Sequence, residues 1–590
     1  MSRQATTEPS VKTPLGDAAI EGSQHSWLNL FTPKLLTVLK EGYGLQQLRA
    51  DAIAGLTVAI VALPLSMAIA IASGVSPAQG LYTAIVGGFL VSALGGSRFQ
   101  IGGPAGAFIV LVGTTVQVHG VDGLILATII SGVILVLAGV LRLGTYVKFI
   151  PYPVTVGFTA GIGVIIFTSQ LKDLFGLTLA GPEPGPLLMK VPVLWSNLPS
   201  INPTAAAVSI ATIVAIVSLS RKMPRWPGML IAVVAGAAVT AIFNLPVATI
   251  GTRFGGIPAS LPLPVLPEIS LAKIQAVLPS AAAFALLGSI ESLLSAVVAD
   301  SMTGRRHRSN CELVGQGISN IASGLFSGFC VTGTIARTAT NIRSGAHGPI
   351  AGMLHSVFML LFVILAAPLA TFIPLASLAG VLVVVAWAMF ERHAFASLLR
   401  ASNGDAAVLL VTFLLTIFRD LTEAIIVGFA LGSVLFIHRM SKVTAIRLHT
   451  PLVEDDRADD ANGKRTRYDE VAASDPDVIV YRITGAFFFG AAASIGLVLD
   501  RTADTHRALV LDLSAVPFLD STAAKTIEGL AHNAAKRGKR ITLTGVSREV
   551  QRELSTNGVK PPLVQYELDI DAALGKIRAT HAAGPNSALE

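Results

Sequence analysis

Long apolar runs separated by Gly, Pro and charged clusters dominate the chain as far as about residue 440. They fall near 51–72, 79–95, 104–118, 122–141, 149–171, 204–220 and 229–244, then near 278–300, 312–327, 334–346, 349–366, 370–390, 404–418 and 421–438. Many approach the roughly 20 residues that a helix needs to cross a hydrocarbon core. The pattern predicts a polytopic α-helical membrane protein with fourteen spans in two sets of seven. An odd number per set turns the second half over relative to the first, the arrangement of inverted-repeat secondary transporters.

Basic residues set the expected orientation. With the N-terminus inside, cytoplasmic loops carry Arg98, Arg142, Lys148, Arg221, Arg225, Arg305, Arg306, Arg343, Arg400 and Arg439, among others, while the outer loops hold only Lys172, Lys190, Arg253, Lys273 and Arg419. That asymmetry predicts both termini in the cytoplasm. Residues 1 to about 30 are polar and lack the apolar core of a cleavable signal, so they read as a cytoplasmic tail.

Corresponding spans of the two halves share an irregularity. The third opens Gly102-Gly103-Pro104-Ala105-Gly106-Ala107 and the tenth Thr332-Gly333-Thr334-Ile335-Ala336-Arg337-Thr338. Short segments broken by small residues at matching positions point to a transporter's substrate site. Two half-helices that start near the midplane aim unpaired N–H groups and positive dipole ends at one place, which makes an anion cradle without a metal. Close helix packing is the other use of such glycines. It does not account for an arginine beside the second break.

After Arg447 the pattern changes. A charged stretch from Glu454 to Glu470 leads to short apolar runs at Val478–Ile483, Ala508–Leu513 and Arg540–Thr544, with helical patterns near 490–502, 521–537, 547–556 and 570–578. Strands alternating with helices predict a small soluble α/β domain. The expected organisation is a tail over 1–45, a transmembrane domain over 46–445 with repeats at about 50–245 and 278–441, a linker over 446–475, the soluble domain over 476–580 and a last tail over 581–590.

Composition narrows the function. Hydrophobic residues make up 52 % and charged residues 13 % of the 590, and the net charge of +7 is used in topology-setting loops rather than on a soluble basic face. A nucleic-acid partner is therefore not expected. Cys311 and Cys330 have no CxxC or His-rich company, so they read as buried thiols rather than as a disulfide or metal site. No HExxH, P-loop or nucleophile elbow stands in a fitting context, which argues against an enzyme.

Two charges stand out. Glu291 lies inside the run Leu278–Val298, and Arg337 opens the tenth span. Ionisable groups at membrane depth are expensive and mark ion or substrate pathways by default. At helical spacing Gly288, Glu291, Ser292 and Ser295 share one small polar face, which should look into the protein. A carboxyl in such a site can exchange a proton in the physiological range, and an anion that screens Arg337 would favour its protonation. The alternative is a permanent Glu291–Arg337 ion pair that only joins two helices. Asp300 is placed at the cytoplasmic interface near Arg305 and Arg306, and Thr332, Thr334 and Thr338 are possible donors to an oxyanion, although such hydroxyls often bond their own backbone.

The motifs resemble those of the SulP family of anion transporters. The matching residues are Leu63-Pro64-Leu65-Ser66-Met67-Ala68-Ile69-Ala70, Gly95-Gly96-Ser97-Arg98, Gly103-Pro104-Ala105, Ile290 to Gly317, and Ile335-Ala336-Arg337-Thr338-Ala339-Thr340-Asn341. The resemblance implies two intertwined seven-helix inverted repeats, a core domain (spans 1–4 and 8–11) and a gate domain (spans 5–7 and 12–14), with the core moving like an elevator. It implies an anion held by the backbone at Ala105, Gly106 and Ala107 and at Thr334, Ile335 and Ala336, beside Arg337. It puts Glu291, with Ser295, at the cation-coupling position, with a proton rather than sodium as the ion, because sodium-coupled bicarbonate relatives carry an aspartate there. Other relatives have Gln or Glu where this chain has Leu65, which leaves coupling to Glu291. The Ile290 and Ile335 runs look most like the bacterial C4-dicarboxylate branch, and close relatives are called sulfate permeases. The implied protein is a homodimer in the bacterial inner membrane that needs no cofactor or metal.

Leu511-Asp512-Leu513-Ser514 through Asp520-Ser521-Thr522-Ala523 resembles the signature of a STAS domain. Soluble relatives carry a phosphorylated hydroxyl at the position of Thr522, with Ser521 beside it. The other reading is an unmodified helix cap made by Asp520 or Ser521. The domain is expected to serve dimerisation or to dock a cytosolic protein.

Overall fold

The computed structural model describes residues 30–147, 151–179, 181, 183–184, 187–223, 226–419, 421–443, 445–448, 478–489, 491–492, 495 and 508–582. The expected linker beyond residue 448, most of the helix near 490–502, the first 29 residues, the last eight, Lys148 and Arg225 lie outside the described residues. The chain divides into two compact units, one up to Phe429 and one from Ala430.

The first unit is built from helices, most of them apolar. In chain order they are α1 Leu45–Ala72, α2 Pro77–Leu94, α3 Gly106–Val140, α4 Tyr152–Phe175, α5 Pro203–Lys222, α6 Gly228–Phe243, α7 Leu271–Thr303, α8 Ser309–Leu325, α9 Ile335–Arg343, α10 Ile350–Ala370, α11 Leu375–Met389, α12 Asn403–Phe418 and α13 Leu421–Val443, the last running on into the second unit. Among the described residues nine helices are long and apolar enough to cross a membrane. Local signals set their ends. Asn202 accepts the Thr204 and Ala205 N–H groups ahead of α5, Ser270 accepts the Lys273 N–H ahead of α7, and Pro77 and Pro203 stand where a helix needs no N–H. The predicted third and fourth spans are the two parts of α3, which meet at a kink at Gly120 with φ +70°, a backbone angle at which a side chain would be strained.

Helix packing sorts these elements into two groups. Helices α1, α2, α3, α7, α8, α9 and α10 pack on one another, while α4, α5, α6, α11 and α12 form the second set. They are the core and gate groups expected from the sequence. Between α1 and α10 on one side and α6 on the other lies an apolar cavity of about 490 Å³, lined by residues such as Leu63, Met67, Val233 and Phe362.

The two halves join at their broken segments. Strands β1 (Gly102–Gly103) and β2 (Thr332–Gly333) pair antiparallel, Gly102 opposite Gly333 and Gly103 opposite Thr332. Only small residues allow two backbones to meet inside a helical core. The pairing sets the starts of α3 and α9 beside each other.

The second unit contains a five-stranded sheet. Its strands β3 (Ala445–Leu448), β4 (Val478–Thr484), β5 (Ala508–Ala515), β6 (Arg540–Thr544) and β7 (Gln565–Glu567) lie in chain order, antiparallel at the first pair and parallel thereafter. Helices α14 (Ser521–Lys536), α15 (Arg548–Thr556) and α16 (Ile570–Ala582) accompany them, and Leu511, Leu543 and Ile527 are wholly buried between the layers.

Candidate anion-binding site

The site is assembled where β1 and β2 cross. Beyond β1 the chain makes a short 3₁₀ turn, Gly106–Phe108, that leads into α3; beyond β2, Thr334 precedes α9 with no side-chain cap. The N–H groups of Gly106, Ala107, Ile335 and Ala336 have no acceptor among the described residues. Unpaired first-turn N–H groups attract an anion. Ala105 and Ala107 are buried, Gly106 is half-buried facing Ile166 and Met389 of the gate, and Ile335 and Ala336 are exposed.

One expectation needs correction. The Thr334 N–H is not free to line the cradle, because it donates to Ile101 O at 3.0 Å, and its hydroxyl lies 3.3 Å from the same oxygen. The other hydroxyls named as anion donors are also engaged. Thr332 donates to Gly288 O at 3.1 Å, and Thr338 shares a hydrogen bond with Ser295 at 3.0 Å while accepting from the Ile101 N–H. They brace the pairing of the two strands, so the candidate site keeps only backbone N–H groups and Arg337 as unengaged donors.

Arg337 is 2 % exposed. Its Nη2 donates to Ser66 Oγ at 3.1 Å and to Pro104 O at 3.3 Å, tying α9 to α1 and to the approach of α3. Nε and Nη1 have no protein acceptor among the described residues. Glu291 is buried in α7, 9 % exposed, and no ion pair links it to Arg337 among the described residues. The permanent pair weighed from sequence is therefore not formed. Both groups are buried, and they make no ion pair with each other among the described residues. Asp300 pairs with His307 Nδ1 at 2.7 Å rather than with Arg305 or Arg306.

Several buried polar residues were not singled out from sequence. Gln100 donates to Ser292 Oγ at 2.7 Å, and the single Ser292 hydroxyl proton is shared between Glu312 Oε1 and Gln316 Oε1, at 3.1 and 3.2 Å. Glu312, wholly buried, also accepts the Gly96 and Ser97 N–H groups at 2.8 and 2.9 Å. Gln316 and Asn320 both donate to Val331 O, which fixes the approach to β2. The signal was present: Glu312, Gln316 and Asn320 follow one another at four-residue spacing in a membrane segment, which makes one polar stripe. His355 of α10 is likewise wholly buried.

In the soluble unit Asp520 caps α14. One carboxylate oxygen accepts the Ala523 N–H at 2.9 Å and the other the Phe489 N–H at 2.9 Å, while Ser521 and Thr522 are exposed in the first turn.

A helical core and gate whose broken segments pair, followed by a sheet-and-helix domain, define a multi-pass membrane transporter with a STAS domain. The chain belongs to the sulfate permease family, which it matches over residues 48–412, and residues 471–572 match the STAS domain. It is 39 % identical to the putative sulfate transporter YvdB of Bacillus subtilis, across 88 % of this chain and 95 % of that one. It is 32 % identical to the bicarbonate transporter BicA of Picosynechococcus, across 86 % and 90 %. The solved transmembrane domain of a cyanobacterial BicA superposes with a TM-score of 0.60 at 33 % identity, covering 65 % of this chain and 98 % of that one. The overall structure of SLC26A9 superposes with a TM-score of 0.79 at 18 % identity, covering 99 % and 98 %, which establishes the shared fold.

Proposed function

We propose that the protein is a secondary transporter that carries a small oxyanion together with a proton across a cytoplasmic membrane, its core moving against its gate. The observation that carries this reading is the separation of Glu291 from Arg337: both are buried and neither neutralises the other by contact. In the reading, the anion enters at the N–H groups of Gly106, Ala107, Ile335 and Ala336 and screens Arg337. Glu291 then takes up the proton that makes the loaded core less charged. Crossing an apolar boundary favours the state with the least net charge.

Sulfate is the leading substrate by the names of the relatives, bicarbonate is the next, and C4-dicarboxylates are supported by the runs at Ile290 and Ile335. Both termini are read as cytoplasmic. The STAS domain is read as the seat of homodimerisation or of a cytosolic partner, with Thr522 or Ser521 available for phosphorylation. A second reading is bicarbonate carried with sodium; the 32 % identity to the bicarbonate transporter BicA favours its anion.

Uptake of labelled sulfate, bicarbonate and succinate into proteoliposomes under imposed proton and sodium gradients tests both. Proton coupling predicts accumulation above equilibrium with an inward proton gradient alone. Accumulation that needs sodium would favour the second reading. Equilibration that ignores both gradients would make the protein a passive anion channel.

A further inference from the structure

Side-chain oxygens of Glu312 and Gln316 meet at the Ser292 hydroxyl, and too few hydrogens serve them. Gln100 Nε2 donates to Ser292 Oγ at 2.7 Å, while Glu312 Oε1 and Gln316 Oε1 lie 3.1 and 3.2 Å from the same Ser292 oxygen. Ser292, Glu312 and Gln316 are wholly buried, and Gln100 is 3 % exposed. A hydroxyl has one hydrogen to give. An ionised Glu312 and the Gln316 amide oxygen would compete for it, because no other donor reaches either oxygen among the described residues.

Turning the amides over does not supply the missing hydrogen. Gln316 Nε2 and Asn320 Nδ2 both donate to Val331 O, and Asn320 Oδ1 accepts the Val331 N–H at 3.1 Å, so a reversed Gln316 would set its oxygen against a carbonyl. A reversed Gln100 would bring a further acceptor to Ser292. Glu312 Oε2 already accepts the Gly96 and Ser97 N–H groups at 2.8 and 2.9 Å, which leaves Oε1 as the place for a proton. With a hydrogen there, Glu312 donates to Ser292 Oγ and Ser292 donates to Gln316 Oε1, so that the hydroxyl gives one hydrogen bond and accepts two.

The surroundings do not neutralise an anion at Glu312. No ion pair reaches it among the described residues, and a buried charge without a partner is costly. Arg308, one turn earlier, donates from Nη1 to Thr32 O and Thr37 Oγ1; Arg98 pairs with Glu41 and His307 with Asp300, while Lys34 and Arg142 make no ion pair with Glu312. Glu291, next to Ser292 in α7, has the wrong sign. A hydroxyl bond to a carboxylate is also about 2.5–2.7 Å long, shorter than the 3.1 Å found here. We propose that Glu312 holds a proton on Oε1 and works as a neutral hydrogen-bond donor, a proton-binding carboxyl distinct from Glu291. It is a positioning residue: it bonds Ser292 beside Glu291, holds the approach to β1 through Gly96 and Ser97, and through Ser292 orients Gln316, which holds Val331 ahead of β2. The inference does not depend on the transport reading.

Infrared spectroscopy of the purified full-length protein at neutral pH tests it. The wild-type spectrum minus that of Glu312→Gln should contain the C=O stretch of one protonated carboxylic acid, a band that moves to lower frequency in heavy water. A difference that contains the two carboxylate stretches instead overturns the inference. Thermal unfolding gives a second readout. Glu312→Gln keeps an acceptor for the Gly96 and Ser97 N–H groups and a donor for Ser292, so it should unfold with the wild type while Glu312→Ala unfolds earlier. A Gln variant that unfolds as early as the Ala variant also overturns the inference. If Glu312→Gln does not fold, Ser292→Ala carries the spectroscopic test: loss of the acid's acceptor should shift its C=O band without deleting it, and an acid region left unaltered by that substitution overturns the inference.

Discussion

Gly103 of β1 lies so close to Arg337 of α9 that a methyl group at Gly103 would overlap the guanidinium Nη1. The contact unites the two halves of the chain, since Gly103 also pairs with Thr332 across the two-stranded ladder. The absence of a side chain at Gly103 is what allows the arginine to lie across the crossing and still reach Ser66 and Pro104 O.

Gly103→Ala should therefore displace the guanidinium and remove both bonds from Nη2. Hydrogen bonds to charged groups are worth roughly 1.5–3 kcal/mol, so anion KM should rise at least about tenfold. Gly113→Ala is the matched control, because a Cβ there meets only Ser73 O at 3.8 Å. Uptake kinetics of the two variants check the prediction, and equal KM values would remove Gly103 from the site.

Glu291→Gln should separate anion movement from the proton. The amide is nearly isosteric but cannot cycle a proton, so concentrative uptake under a proton gradient should fall to the equilibrium level, while anion KM changes by less than about threefold. Glu291→Asp retains a titrating group and should retain gradient-driven uptake. Gradient-driven accumulation that persists in the Gln variant would assign coupling elsewhere.

Much of this site could be read before the structure. The small residues at 102–107 and 332–336, the arginine beside them and the polar face through Glu291 and Ser295 all follow from rules about what a bilayer excludes. The helix ends followed less evenly: α7 runs from Leu271 and α1 from Leu45, each several residues before the apolar run that marks it in sequence. What stayed hidden was pairing between distant positions. Nothing in the linear pattern says that Ser66, 271 residues from Arg337, receives its Nη2 proton, or that the Thr334 N–H is consumed by Ile101. The break between the predicted third and fourth spans falls where expected, at Gly120, whose φ of +70° interrupts α3. Glu312 escaped notice for a different reason: it opens its helix, where a carboxylate usually reads as a surface residue near a positive dipole end.

Glu312 links three segments, the loop before β1 through Gly96 and Ser97, α7 through Ser292, and its own α8. Glu312→Ala leaves two buried N–H groups without an acceptor and should cost about 3 kcal/mol. Ser292→Ala removes one node and should cost about 1 kcal/mol. Thermal unfolding of the purified protein should rank wild type above Ser292→Ala and Ser292→Ala above Glu312→Ala. A Glu312→Ala variant as stable as wild type would show that the network carries no stability.

The STAS domain supplies a prediction about pH. Asp512 is 2 % exposed within β5, where it accepts the Ser514 N–H at 3.0 Å and a hydrogen bond from Arg482 Nε. Burial pushes its carboxyl up, but the Ser514 N–H and the Arg482 guanidinium outweigh burial and hold it below the usual carboxylate range. A carboxyl that is more acidic in the folded state contributes stability that is complete above the unfolded value, near pH 4, and is lost as the pH falls through the lowered folded value. Residues 445–590, whose sheet and helices enclose a core of their own, should thus lose thermal stability as the pH is taken from about 5 towards 3. Asp512→Asn should lower stability at neutral pH and flatten that slope, since the amide keeps the Ser514 bond but neither titrates nor attracts Arg482. A variant with the wild-type slope would mean that other carboxyls carry the acid sensitivity, and would leave Arg482 as an exposed partner contributing little.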